Sequence, residues 1–157
     1  SIPESQRYQD SHHAMRANNK RFNISIHEQY EAGMPMMMVI PQDLSRVVLN
    51  VMNNACYAVW KRAQTAGPDY HPEVTVSVKT VDSNIVIDIA DNGEGMTDEV
   101  KQRLYENFFT TKPVGQGTGL GMGITRDLIE NKHGGTIAFE STLGEGTTFT
   151  ITIPIKK

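Results

Sequence analysis

The chain has 157 residues, 38% apolar and 21% charged, the make-up of one globular domain with a single sizeable core. A formal net charge of −3 leaves no electropositive footprint for nucleic acid. No stretch approaches the roughly 20 apolar residues of a membrane-spanning helix, and the apolar run at 34–41 is internal and too short, so direct membrane insertion is not expected.

The single cysteine, Cys56, rules out an internal disulfide and a cysteine zinc cluster. It reads as a buried helix residue, and cytoplasmic residence is the simplest expectation. The chain opens on serine, which reads as a piece of a longer protein. Residues 1–20 are polar and rich in His, Asn and Gln, and read as a connector helix or linker ahead of a domain spanning 21–157.

Arg21 to His27 alternates, with Phe22, Ile24 and Ile26 on one face, and predicts a strand. Met36 to Ile40 is a candidate partner. A helix starts near Gln42, with Gln42 or Asp43 as cap, and runs to about Arg62. Leu44, Val47, Val48, Val51, Met52, Ala55, Ala58 and Val59 recur along it at helical spacing. Residues 64–72 form a loop by their Gly and Pro content and carry no readable motif. Glu73 to Thr80 and Asn84 to Ala90 predict a hairpin, and Thr97 to Tyr105 a short helix capped by Thr97 or Asp98. Glu106 to Thr118 is a long aperiodic loop ending in glycines, of the kind usually tied to function. Leu120 to His133 predicts a second long helix, closed by Gly134 and Gly135. Thr136 to Glu140 and Thr147 to Ile155 are the last strands. The sum is an α+β protein: a two-layer α/β sandwich with three helices on a mixed, mostly antiparallel sheet of about five strands. Strand alternation predicts one covered sheet face and one wetter face.

Four segments carry chemistry. Asn50 and Asn54 are four apart, so they share a helix face. Alone, the pair fits two hydrogen-bonded helix residues or a carboxamide set for a hard cation such as Mg²⁺. Asp91 to Gly95 reads DNGEG directly after a strand. It is a turn signal, but it also sets a carboxylate at a strand end, where it can accept a bond from an adenine amino group. Gly93 and Gly95 would let backbone approach a flat ring. The run 115–123 reads GQGTGLGMG ahead of a helix, which offers backbone N–H groups to phosphate. It matches neither the dinucleotide fingerprint nor the P-loop pattern G-x-x-x-x-G-K-S/T. Gly144 to Phe149 reads GEGTTF, a hairpin turn with Thr147 opening the last strand.

In this order and spacing the four segments resemble the ATP-binding domain of sensor histidine kinases. The wider superfamily also holds gyrase, the heat-shock ATPase chaperones and MutL. The match covers about residues 21–155, and its specificity lies in the four segments together. The resemblance implies a Bergerat-type ATP-binding fold, with Mg-ATP held between the long helix and a glycine lid. It implies that Asn54 binds the Mg²⁺ ion and that Asn50 lies near the phosphates. Asp91 corresponds to the aspartate that reads the adenine amino group, with Gly93, Gly95 and Met96 beside the ring. Phe108 and Phe109 match an aromatic box that packs the lid, or else ordinary core. Lys112 is a candidate phosphate contact with a catalytic part. Gly115, Gly117, Thr118, Gly119, Leu120 and Gly121 match the lid, and Thr147 the threonine that supports the adenine aspartate. Lys61, seven residues after Asn54, is a weaker phosphate candidate.

Superfamily members that hydrolyse ATP resemble one another in carrying Glu four residues before the metal-binding Asn, where it activates water. Here Asn50 stands there, and a carboxamide is no base. Phosphoryl transfer needs mainly positioning and charge neutralisation, so it is the favoured reaction, with Asn50 and Lys112 as its candidate residues. The acceptor expected by resemblance is a histidine on a separate dimerisation domain, followed downstream by a response regulator receiver domain. The segment Ser11 to Ala17 superficially resembles the phosphoacceptor pattern S-H-E-x-R. It lacks the acidic residue after His13, and Asn54 is only 41 residues further on. His27, His71 and His133 show no metal-ligand spacing. The alternatives are a superfamily Ser/Thr or dehydrogenase kinase and a non-catalytic nucleotide-gated module.

Overall fold

The computed structural model describes residues 24–30, 44–106 and 121–155, together with the backbone alone at Gln42 and Asp43. The elements run β1 (Ser25–Tyr30), α1 (Gln42–Ala63), β2 (Glu73–Val81), β3 (Asn84–Asp91), α2 (Asp98–Arg103), α3 (Met122–Asp127), a π-helical segment (Leu128–Lys132), β4 (Thr136–Thr142) and β5 (Gly146–Pro154). The expected connector at 1–20, the strand at Met36 to Ile40 and most of the lid lie outside the described residues.

The five strands form one sheet in the order β1-β2-β3-β5-β4. β1 pairs with β2 in parallel and every other pairing is antiparallel, so the sheet is mixed and mostly antiparallel as expected. β3 sits in the middle. Ile85, Ile87 and Ile89 point to one face and are fully buried, while Val86, Asp88 and Ala90 on the other face keep partial solvent contact. Burial of each isoleucine side chain contributes roughly 1.5–3 kcal/mol, which fixes the register, since a one-residue slip would turn all three to the wetter face. The β2–β3 hairpin turns on Asp82 and Ser83, both at positive φ, the geometry of a tight two-residue turn whose twist matches the strands.

α1 lies across β2, β3 and β5. Its apolar stripe, from Leu44 through Val47, Val48, Val51, Met52, Ala55 and Cys56 to Val59, meets the isoleucine face. Gln42 and Asp43 lie inside the first turn of this helix rather than ahead of it. Thr97 caps α2 as expected, its hydroxyl accepting from Val100 N at 3.2 Å.

The second long helix differs from the prediction. It is α-helical only over Met122–Asp127 and widens to a π-helical turn over Leu128–Lys132. Gly134 then takes a left-handed conformation, and Gly135 N returns to the Ile129 carbonyl at 2.9 Å. The wider turn keeps Ile129 fully buried while the chain reverses into β4. Hydrophobic spacing does not distinguish a π turn from an α turn over five residues, so no residue pattern signals it.

Candidate functional site

α1 organises the site. Asn50, Asn54, Ala58 and Arg62 follow at steps of four, so they form a slowly winding stripe with about 6 Å of axial rise per step. Asn50 is almost fully buried, and its Nδ2 donates to Thr125 Oγ1 at 2.9 Å. Asn54, half-buried, donates from Nδ2 to the Met122 sulfur at 3.2 Å. Both carboxamides are thus oriented by the first turn of α3, directly after the glycine-rich segment. Thr125 is itself fully buried and donates to the Gly121 carbonyl at 3.3 Å. Gly121 precedes α3 in an extended conformation, and a Cβ there would meet open space.

The other end of the stripe meets the DNGEG turn. Asp91 ends β3 with Val74 and Thr147 as its register neighbours. Gly93 N donates to Asp91 Oδ1 at 2.8 Å. Although part of the residue touches solvent, dense surroundings push its carboxyl up to about 6, against the smaller lowering effect of the Gly93 and Thr147 backbone groups. A carboxylate offers about four acceptor sites, so two backbone donors leave room for a ligand donor. The chemistry fits an exocyclic amino group.

Gly93 and Gly95 have a cause the sequence did not disclose. A Cβ on Gly93 would lie 2.7 Å from Ala58 Cβ, so this glycine lets the turn pack against α1. Gly95 has φ +74, and a Cβ there would overlap the Thr142 carbonyl oxygen. Both glycines are therefore required by protein contacts, whatever lies beside them.

A hydroxyl pair joins this turn to the β4–β5 turn. Ser141 Oγ accepts from Met96 N at 2.8 Å, lies 2.8 Å from Thr147 Oγ1, and donates to the Gly146 carbonyl at 3.1 Å. Ser141 has one proton, so Thr147 is the donor within the pair. The Thr147 hydroxyl thus serves Ser141, and its support of Asp91 comes through the backbone. Gly144 N closes the same junction on the Glu94 carbonyl at 2.8 Å. Lys61, the weaker phosphate candidate, pairs with Glu94 at 3.2 Å. Phe108, Phe109, Lys112, Gly115, Gly117, Thr118, Gly119 and Leu120 lie outside the described residues.

Sequence reasoning missed Arg62, Tyr70, Asn92 and Ser141. Arg62 continues the asparagine stripe, a spacing signal that was available. The remaining three act through contacts distant in sequence, for which the sequence offers no local sign.

A mixed sheet with one long helix across it, and a carboxylate-bearing turn packed on that helix, defines an α/β sandwich with its candidate site at the helix–turn junction. Solved structures share this fold. The catalytic domain of histidine kinase ThkA aligns with a TM-score of 0.67 at 22% identity, covering 96% of this chain and 91% of that one. Mycobacterial sensor histidine kinase MprB aligns with a TM-score of 0.65 at 24% identity, covering 99% and 96%. The histidine kinase-, DNA gyrase B- and HSP90-like ATPase family matches residues 39–157, and the chain belongs to it. Sporulation kinase B of Bacillus subtilis is 40% identical over 111 residues, 71% of this chain and 23% of that protein. Sensor histidine kinase ZraS of Klebsiella oxytoca is 35% identical over 116 residues, 73% and 22% respectively. The chain thus spans under a quarter of the length of these relatives.

Proposed function

We propose that this chain is the Mg-ATP-binding catalytic domain of a sensor histidine kinase. It donates the γ-phosphoryl group of ATP to a histidine on a separate dimerisation domain, from which a receiver domain takes it. The observation that carries the reading is the α1 stripe. One end bears two oriented carboxamides. The other bears the packed turn of a half-buried carboxylate with unused acceptor capacity. From Ala58 back to Asn50 the stripe rises about 12 Å, a span suited to a nucleotide from base to phosphates.

Asp91 accepts from the adenine amino group, with Gly93, Gly95 and Met96 along the base and Thr147 behind the carboxylate. Asn54 is the protein's oxygen donor to magnesium, a hard cation that suits a carboxamide oxygen and phosphate together. Magnesium bound with the nucleotide supplies charge neutralisation at the phosphoryl oxygens. Asn50 has no basic oxygen to deprotonate water, so the site favours transfer over hydrolysis. Lys112 and the lid residues Gly115, Gly117, Thr118, Gly119, Leu120 and Gly121 are assigned to the phosphates by the family resemblance, and Phe108 and Phe109 to the lid's aromatic box. Residues 1–20 connect to the dimerisation domain in a parent protein that works in the cytoplasm. Among the described residues no helix is long and apolar enough to cross a membrane.

The test is transfer. With labelled Mg-ATP and an added histidine-bearing dimerisation domain, the label is expected on that domain, in an acid-labile bond. Acid-stable label would mark a Ser/Thr kinase. Label on His12 or His13 of the chain alone would overturn the separate-acceptor assignment. Nucleotide binding with no transfer to any partner would leave a gated binding module.

A further inference from the structure

We infer that Arg62, Tyr70 and Asn92 form a clamp on the DNGEG turn that positions Asp91 for purine recognition. This rests on the base-reading role of Asp91 proposed above. Three elements converge on two residues of the turn. Arg62, in the last turn of α1, donates from Nη1 to the carbonyl oxygens of Asn92 at 3.0 Å and Gly93 at 3.1 Å. Tyr70, from the loop 64–72, brings its hydroxyl within 2.8 Å of the Asn92 carbonyl oxygen and 3.2 Å of Asn92 Oδ1. The Asn92 side chain is occupied at both ends, Oδ1 accepting from Glu73 N at 2.8 Å and Nδ2 donating to the His71 carbonyl at 2.8 Å. The Arg62 guanidinium also lies over the Tyr70 ring, 4.7 Å from its centroid, so each holds the other in place.

The clamp acts on the carboxylate through one bond. Asp91 Oδ1 accepts from Gly93 N, and Gly93 is the residue whose carbonyl Arg62 holds and whose backbone packs on Ala58. Fixing the Asn92 and Gly93 peptides therefore fixes the direction from which Oδ1 is held, and with it the acceptor sites left for a base. Burial pushes the Tyr70 hydroxyl up to about 12, partly offset by Arg62, so it remains a donor across the range in which proteins are assayed. The loop 64–72, opaque in the sequence, thereby gains a purpose: it delivers Tyr70 and the His71 carbonyl to Asn92 in the turn.

A positioning role differs from a merely structural one in its effect on base discrimination. Loss of folded protein lowers every nucleotide's binding alike, whereas a misdirected carboxylate loses the 6-amino purine and spares the 6-oxo purine. The experiment measures Mg-free binding of ADP and IDP to the 157-residue chain and to Tyr70→Phe, Arg62→Met and Arg62→Lys by calorimetry. The wild type is expected to prefer ADP. Tyr70→Phe and Arg62→Met should each cut the ADP-to-IDP preference about fivefold to tenfold, the worth of one or two ordinary hydrogen bonds. Arg62→Lys, which keeps the charge and one donor, should recover part of it. An unchanged ratio in both Tyr70→Phe and Arg62→Met, with the wild-type preference intact, overturns the clamp and leaves the Asp91 reading standing. A wild type with no preference, or a preference that Asp91→Asn does not abolish, overturns the Asp91 reading and the clamp with it.

Discussion

The two ends of the α1 stripe are built from different contacts. At the Ala58–Arg62 end, the DNGEG turn is fixed by backbone packing, a guanidinium, a phenol and the Asn92 carboxamide. At the Asn50–Asn54 end, two carboxamides donate to the first turn of α3, one to a buried hydroxyl and one to a thioether. The contrast matches what each end is proposed to bind. A rigid base is read best by a fixed carboxylate, while phosphates and a hydrated cation suit carboxamide groups.

The largest expected effect tests the rigid end. Asp91→Asn should weaken ADP binding about tenfold to a hundredfold, the range for a hydrogen bond to a charged group. The same variant probes how burial is set against function. Asp91 has a folded value of about 6 against an ordinary value of 3.8. Between these values the folded protein binds more protons than the unfolded chain, so this group's contribution to stability falls as pH rises from about 4 to about 6, by up to about 3 kcal/mol. Relative to wild type, nucleotide-free Asp91→Asn should therefore gain melting temperature over that window and hold its gain above it. ADP affinity of the wild type should move the other way, falling as pH drops through about 6 and the acceptor is protonated. A flat affinity profile from pH 5 to 7 would break the link between this carboxyl and the base.

Substitutions read through stability sharpen the comparison. Gly93→Ala should cost about 1–3 kcal/mol, because its methyl would meet Ala58 Cβ at 2.7 Å and the Ala58 backbone carbonyl at 2.8–2.9 Å. Asn50→Ala, by removing a partner of a fully buried threonine hydroxyl, should cost about 1–3 kcal/mol. Asn54→Ala should cost less than Asn50→Ala, under about 1 kcal/mol, since the side chain is only half-buried, yet abolish the tightening of ATP binding by magnesium. The smallest effect belongs to Gly121→Ala, which has open space and an extended backbone and should stay within about 0.5 kcal/mol. Denaturant melts of the four variants check the order, and a Gly121→Ala cost equal to that of Gly93→Ala would erase the distinction between the ends.

Much of this was legible in the residues. Strand alternation at Ile85, Ile87 and Ile89 and the helical stripe of α1 are physical periodicities, and the sheet and long helix follow from them. The four segments that carry the candidate site were legible as a set. What stayed hidden was every contact between them. Only the fold shows that Gly93 also packs against Ala58, and that the Thr147 hydroxyl goes to Ser141 while its backbone serves Asp91. Tyr70 and Asn92 are 22 residues apart and carry no shared pattern, so only the folded chain brings them together. The π-helical turn at Leu128–Lys132 escaped because its residues suit an α-helix equally well.

The central claim is that one nucleotide spans the stripe, base at the Asp91 end and phosphates at the asparagine end. A crystal structure of the chain with a non-hydrolysable ATP analogue and magnesium tests it most directly. The account predicts the purine amino group within hydrogen-bond distance of Asp91 and the ion coordinated by Asn54 in the same molecule. A nucleotide bound so that these two residues are not both in contact with it would contradict the account.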